Sequence, residues 1–541
     1  MRARELEPND IRELVSRHSQ LGSKHALYPG NDYTILANFL QPGPDRFPGA
    51  RSTHREPPEP FVVAYDLSSG STSATSRLNP EGMKWFKQQQ DLAALRPQLV
   101  FVRGFPDAKW LRVLSATYGV DPAVYQRHLV LPTLSAVDHM HHFYTNPPLP
   151  SSSGRIFSLM VTTICSNETA NTSALAEDVE DLRRKGSAEL LRYHLDLKKN
   201  GAVGDSIVRQ YSVLSRKIQV IEQWVSIYIS RVADSWNVVV WMDNARDLSQ
   251  GISGPWCPER GTTAWKTYML PIIQHRDCLA FHSDVHSTAD TSATAQTWEA
   301  NQNACLLPFQ FGKFLKRDIL AHDALYALSD VFRLSAASEG QFLNLMDRQI
   351  EHELEISRNS TPKNSSILNL RYLARLLEDH LTKLTEMVLL LESQDHLGWP
   401  RAAPGSDHRV EADRMRKLLL GDFSHLRHKA ERLRENCRGG VQSLAHTSSL
   451  QESERAMANA QRVGRLTLLA TIFVPLSCTC SAFGMNFAVF GQGDLNIWIF
   501  FPTAAGVMLI SFLIWYTAKP GTRQRGRCSA FTSGNPDHSC G

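Results

Sequence analysis

Nine cysteines, an odd number, run from Cys165 to Cys540 without a single Cys-x-x-Cys pair, which argues against a disulfide framework and against a zinc ribbon. Charge of one sign is also missing. Lys and Arg number 58 against 54 Asp and Glu, a net +4 that provides no global field to assign to nucleic acid. The opening residues, MRARELEPND, contain acids and no apolar core, which predicts no secretory signal and argues against a mitochondrial presequence. No phosphate-binding glycine loop and no Ser-His-Asp or Cys-His signature is visible, so neither an enzyme nor a cofactor is expected. Long apolar runs are nearly absent before residue 465. The bulk of the chain therefore reads as a cytosolic body, in which the four Asn-x-Ser/Thr sequons are chance occurrences.

What is present begins with a Pro, Gly, Arg and Ser-rich segment, residues 1–60, expected to be loosely ordered. Residues 61–310 alternate strand-like with helix-like runs. FVVAYDL (61–67), QLVFVRGF (98–105), RIFSLMVTTIC (155–165) and WNVVVWMD (236–243) are β-branched and aromatic, with turn residues nearby. DAKWLRVLSATYG (107–119) has helical spacing with Asp107 as its N-cap. An α/β domain of undetermined strand order follows. The pattern then becomes helical over 311–406. Leu370, Leu373, Leu377, Leu381, Leu384, Val388 and Leu391 form one apolar stripe, opposed by Arg371, Arg375, Glu378 and Asp379.

From Asp407 no proline occurs until Pro475. Leu419, Phe423, Leu426, Ala430, Leu433, Cys437, Gly440, Leu444, Ser448 and Gln451 keep near-heptad spacing, which predicts a stalk helix over 407–465. The Gly439–Gly440 pair is its weak point, at roughly 1 kcal/mol per glycine relative to alanine. A continuous helix from here to Phe483 would run roughly 110 Å at about 1.5 Å per residue, a length no globular core requires.

Two uncharged apolar segments follow, at 466–484 and 495–518, joined by a short loop at 485–494. The second qualifies outright as a membrane span. The first carries Thr467, Thr471, Ser477, Thr479 and Ser481, and reads as a span with one face on water or protein, where hydroxyls are satisfied. Arg455, Arg462 and Arg465 precede the first segment, Lys519, Arg523, Arg525 and Arg527 follow the second, and the loop has no cation. By the positive-inside rule both termini, including the tail at 519–541, are cytoplasmic. The plasma membrane is expected in preference to an organelle membrane.

Gly484-Met485-Asn486, set between these two C-terminal apolar helices and after a long stalk, resembles the signature of the CorA-like Mg²⁺ transporter family. The wider run RLTLLATIFVPLSCTCSAFGMNF (465–487) is similar to the fungal CorA-like and zinc-transporting ZntB-like branch. So, more loosely, are 100–129 and 323–350. The resemblance implies a homopentamer in a lipid bilayer, with the first spans lining a pore for divalent cations, Mg²⁺ first among them. It also implies Gly484, Met485 and Asn486 as selectivity filter. Counting back from Asn486 at helical spacing places Ser481, Ser477, Val474, Ala470, Leu466 and Val463 on one face, expected to line the pore, with Val474, Leu466 and Val463 as apolar gates.

The loop departs from the family pattern. It reads FAVFGQGDL where relatives carry a Pro-Glu step, leaving Asp494 as the outer acid. Ion identity stays open, and the depleted loop supports a second reading: a membrane-anchored regulatory or scaffolding protein that keeps the fold without conducting. Three further clusters are weighed as metal or regulatory sites, each with a plain surface role beside it: His139, His141 and His142; His282, Asp284 and His286; and Glu177, Asp178, Glu180 and Asp181. No resident metal ligand is assigned.

Overall fold

The four β-branched and aromatic runs become strands of one sheet. They are β1 (Val62–Asp66), β3 (Gln98–Arg103), β4 (Ile156–Asn167) and β7 (Ser235–Met242). The computed structural model describes residues 7–22, 26–41, 60–68, 76–78, 96–131, 154–167, 178–232, 235–256, 267–275, 302–359, 364–483 and 496–518. Added to the expected strands are β2 (Ser76–Leu78), β5 (Gln210–Val213), β6 (Ile218–Val232) and β8 (Thr267–Met269). The order is β2-β1-β3-β7-β6-β4-β8, with β5 also on β6. Among the described strands only β3 and β7 pair in parallel. Both are buried along their whole length, as the covered centre of a sheet must be.

Strand β6, 15 residues long, was not among the expected strands. Gln219, Glu222, Gln223, Ser226 and Ser230 interrupt its apolar character, yet four of these five are buried, and Gln223, Ser226 and Ser230 find partners on other segments. The N-terminal segment also departs from expectation. Residues 1–60 contribute α1 (Pro8–Ser19) and α2 (Thr34–Phe39), whose Ile11, Val15, Leu36 and Ala37 enter the core beside α3 (Ala108–Tyr118) and α4 (Pro122–Leu129). Short amphipathic stretches inside a Pro/Gly-rich segment are ordered by that burial. Asp107 occupies the N-cap of α3 without a side-chain cap bond, whereas Asp121 caps α4 through the amide of Ala123 at 2.9 Å. Gly119 ends α3 at φ 62°, a left-handed turn that suits glycine. Elsewhere α5 (Val179–Asn200) supplies Leu190, Tyr193 and Leu197 to a second cluster with Cys165, Ile221 and Trp256.

A helical layer is built from α6 (Ala324–Asn359), α7 (Asn364–Glu392) and the first part of α8 (Asp407–Phe483). It meets the sheet through Ser335, whose hydroxyl donates to the Met160 carbonyl at 2.6 Å, and through Phe157 stacked between Phe332 and Trp399. The α7 stripe is buried from Leu370 to Leu391 and its opposing charges are exposed. On α8 the near-heptad residues are buried from Leu419 to Leu444, with Ser448 and Gln451 half-buried beyond them. The Gly439–Gly440 pair leaves the helix unbroken. A Cβ on Gly440 would meet Leu354 Cδ2 at 2.8 Å and Leu370 Cδ1 at 3.2 Å, so glycine permits close approach of α6 and α7 to α8.

The chain divides into two compact units, Met1–Gln442 and Ser443–Gly541. The second contains the end of α8 and α9 (Phe500–Ala518), the latter preceded by a tight turn at Ile497–Ile499. Both helices are long and apolar enough to cross a membrane.

Candidate functional site

In the second unit the exposure of α8 is the reverse of its buried stripe upstream. From Glu452 to Ala470 every residue is exposed. Beyond that, only Thr471, Pro475, Thr479 and Phe483, four residues apart, are half-buried or buried. The corresponding shielded stripe on α9 is Phe500, Thr503, Ala504, Met508, Ser511 and Trp515, and the rings of Phe483 and Phe500 meet edge to face at 6.2 Å. This is the side by which the two helices associate.

The residues expected to line a pore lie elsewhere on α8. Val463, Leu466 and Val474 are 61%, 68% and 65% exposed, and Ala470, Ser477 and Ser481 are exposed as well. At about 100° per residue, this face is centred roughly 180° from the stripe turned toward α9. The helix thus has an inner-chain side and, diametrically opposite, a side carrying Val463, Leu466, Ala470, Val474, Ser477 and Ser481.

The hydroxyls of this segment divide by whether they are bonded within the helix. Thr467 donates to the Val463 carbonyl at 2.8 Å, Thr471 to Thr467 at 2.7 Å, and Thr479 to Leu476 at 2.8 Å. These bonds satisfy the threonines within their own helix, so their presence does not by itself require a wet face, contrary to the expectation from sequence. Ser477 and Ser481 make no such bond among the described residues. They are the hydroxyls left available to another partner. Pro475 removes one backbone donor within the span without ending the helix. Gly484, Met485, Asn486 and Asp494 lie outside the described residues.

The sheet domain contains two buried polar networks that no local sequence pattern announced. Arg209 holds Asp243 in a bidentate pair, Nε to Oδ2 at 2.7 Å and Nη2 to Oδ1 at 2.8 Å. His128 Nε2 lies 3.0 Å from Asp243 Oδ1, and its Nδ1 hydrogen-bonds the Ser226 hydroxyl at 2.8 Å. Burial, reinforced by Arg209, lowers His128 to about 4 against the pull of Asp243. The Ser226–His128–Asp243 order has the connectivity of a hydrolytic triad. Here all three residues are buried, the imidazole is stacked on Trp241, and the carboxylate is already committed to Arg209. The arrangement ties α4, β6 and β7 together.

In the second network His380 Nδ1 is 2.7 Å from Glu339 Oε2 and its Nε2 is 3.5 Å from Glu222 Oε1, while Thr162 donates to Glu339 at 2.7 Å. Burial opposes charge on His380, but the Glu339 and Glu222 carboxylates prevail and raise it to about 10. This cation joins α6 and α7 to β4 and β6.

Among the described residues no group of three or more His, Cys, Asp or Glu is arranged to hold a metal ion. His139, His141, His142, His282, Asp284, His286 and Glu177 lie outside them. Glu180 pairs with Arg183 at 3.3 Å and Asp181 with Arg184 at 2.6 Å, the surface pairing of a helix start.

Compared with known proteins, residues 328–518 match the family model described as CorA-like Mg²⁺ transporter protein. The match starts within α6 and takes in both apolar helices; the sheet lies before it. No curated protein matches the chain.

Proposed function

We propose, from the match of residues 328–518 to the CorA-like Mg²⁺ transporter model, that the chain is one subunit of a homopentameric channel passing hydrated divalent cations, Mg²⁺ first among them. The observation supporting this reading is the face of α8 opposite α9, which combines apolar residues with two serines that have no backbone partner among the described residues. Around a symmetry axis that face becomes a pore wall, with α9 on the outside.

Mg²⁺ gives up its water reluctantly. A ring of Asn486 amides at the mouth hydrogen-bonds the first hydration shell without stripping it, Gly484 lets the backbone approach closely, and Met485 completes the filter. Ser477 and Ser481 continue the polar wall inward. Val474, Leu466 and Val463 close the pathway by dewetting when the helices approach. Asp494 concentrates cations outside. Both termini are cytoplasmic, and the driving force for a divalent ion is roughly 4.6 kcal/mol per 100 mV, so entry needs no nucleotide.

The test is rescue of cells deficient in Mg²⁺ uptake, together with ion flux into liposomes across several divalent cations. The wild-type chain restores growth and conducts, and Asn486→Ala does neither. Equal rescue by Asn486→Ala removes the filter assignment. An absence of flux from a correctly assembled protein leaves an anchored scaffold in place of a channel.

A further inference from the structure

The cysteines of the first apolar helix are separated by one residue, Cys478 and Cys480, and both are exposed in the single chain. At about 100° per residue they point roughly 200° apart. Their Cβ vectors diverge, so they cannot bridge one another within the helix. Neither belongs to the stripe turned toward α9, nor to the proposed pore face. Each sits roughly 80° to one side of that face, Cys478 on one flank and Cys480 on the other.

The flanks differ in bulk. With Cys478 go Thr467 and Ala482; with Cys480 go Leu469, Phe473 and Leu476, and all of these are exposed. One side of the helix is therefore a shallow groove and the other a ridge. Helices in a closed ring touch their neighbours through the two flanks beside the inward face, and a head-to-tail contact brings unlike flanks together. Ridge into groove is the packing these side chains fit. At usual helix spacing, positions facing each other this way have Cα atoms roughly 5–7 Å apart, within disulfide reach.

Resting on the pentameric reading above, we infer that Cys478 of each subunit faces Cys480 of the next, making every subunit boundary near the outer end of the pore a thiol pair. The site is incomplete in one chain. A two-electron oxidant converts the pair to a disulfide: two S–H bonds break, one S–S bond forms, two protons leave, and the oxidant takes both electrons. The product is a covalent ring of first helices, a redox lock beside the filter.

The experiment uses full-length protein in membranes with Cys257, Cys278, Cys528 and Cys540 changed to Ser, and dissolved oxygen as the two-electron oxidant with copper(II)-phenanthroline as its catalyst. Cross-linked species up to pentamer are expected on a denaturing gel, reversed by dithiothreitol. Cys478→Ser alone and Cys480→Ser alone each reduce them to background. Co-expression of the two single variants, distinctly tagged, restores a dimer containing one of each. Cross-linking that survives in either single variant, or failure of the mixed pair to form, overturns the assignment. Amine cross-linking of the same membranes separates the causes. A pentamer without thiol coupling defeats the cysteine assignment alone, whereas absence of any oligomer defeats the channel reading beneath it.

Discussion

The stretches of α8 before residue 441 and after residue 465 obey opposite rules within one uninterrupted helix. In the first, a near-heptad stripe from Ala412 to Gly440 is buried under α6 and α7, and polar groups find partners on other elements, as Arg434 does with Glu378 on α7. In the second, bulky apolar side chains such as Leu466, Phe473 and Val474 are exposed, and threonine hydroxyls return to carbonyls of their own helix. A helix in water hides apolar surface and can leave polar groups outside. A helix in hydrocarbon can expose apolar surface but must satisfy polar groups internally. The second stretch ends in a segment long and apolar enough to cross a membrane.

That contrast can be broken most forcefully at Phe423. Truncation to Ala is expected to destabilise the first unit by about 3–5 kcal/mol, read as a fall in the denaturant midpoint of the full chain in detergent. Leu466→Ala, on the same helix but exposed, should leave that midpoint unchanged and instead raise basal ion leak in liposomes.

Removing one partner of the buried ion pair comes next. Glu339→Gln strands the His380 charge and should cost about 3 kcal/mol. The pH dependence has a definite sign. His380 is raised to about 10 in the folded chain, so its contribution is complete below its ordinary value near 6.5 and is lost as pH climbs through about 10. His128, lowered to about 4, acts in the other direction: its contribution fades as pH falls from about 6.5 toward 4. Thermal unfolding across pH 4–10 checks both, and His380→Gln should remove only the alkaline slope.

Adjacent glycines sharpen the comparison at smaller scale. Gly440→Ala is expected to lower stability by about 1–3 kcal/mol through overpacking against Leu354 and Leu370. Gly439→Ala, with nothing within 4 Å of its added methyl, should raise stability by roughly 0.5–1 kcal/mol. The finest test is between hydroxyls. Ser477→Val should reduce ion flux, while Thr471→Val, whose hydroxyl serves the Thr467 carbonyl, should leave it unchanged. Equal loss from both would remove the distinction between the two faces.

Much of this was readable in advance because it depends on periodicity. The stripes on α7 and α8, the four apolar strands, and the grouping of Val463, Leu466, Ala470, Val474, Ser477 and Ser481 on one face all follow from residue spacing. Strand β6 escaped because its polar residues look like solvent contacts until their partners are known. The Arg209–Asp243–His128 network escaped for a related reason, its members being brought together from separate segments.

By itself the sequence determined where the chain is amphipathic, where it is apolar all round, and which residues share a helical face, since local geometry ties spacing to direction. Tertiary structure decided which face of α8 turns toward α9, which hydroxyls are already bonded, and which buried charges are paired. Those outcomes depend on contacts between residues distant in the chain, where burial makes a partner obligatory and only the fold supplies one.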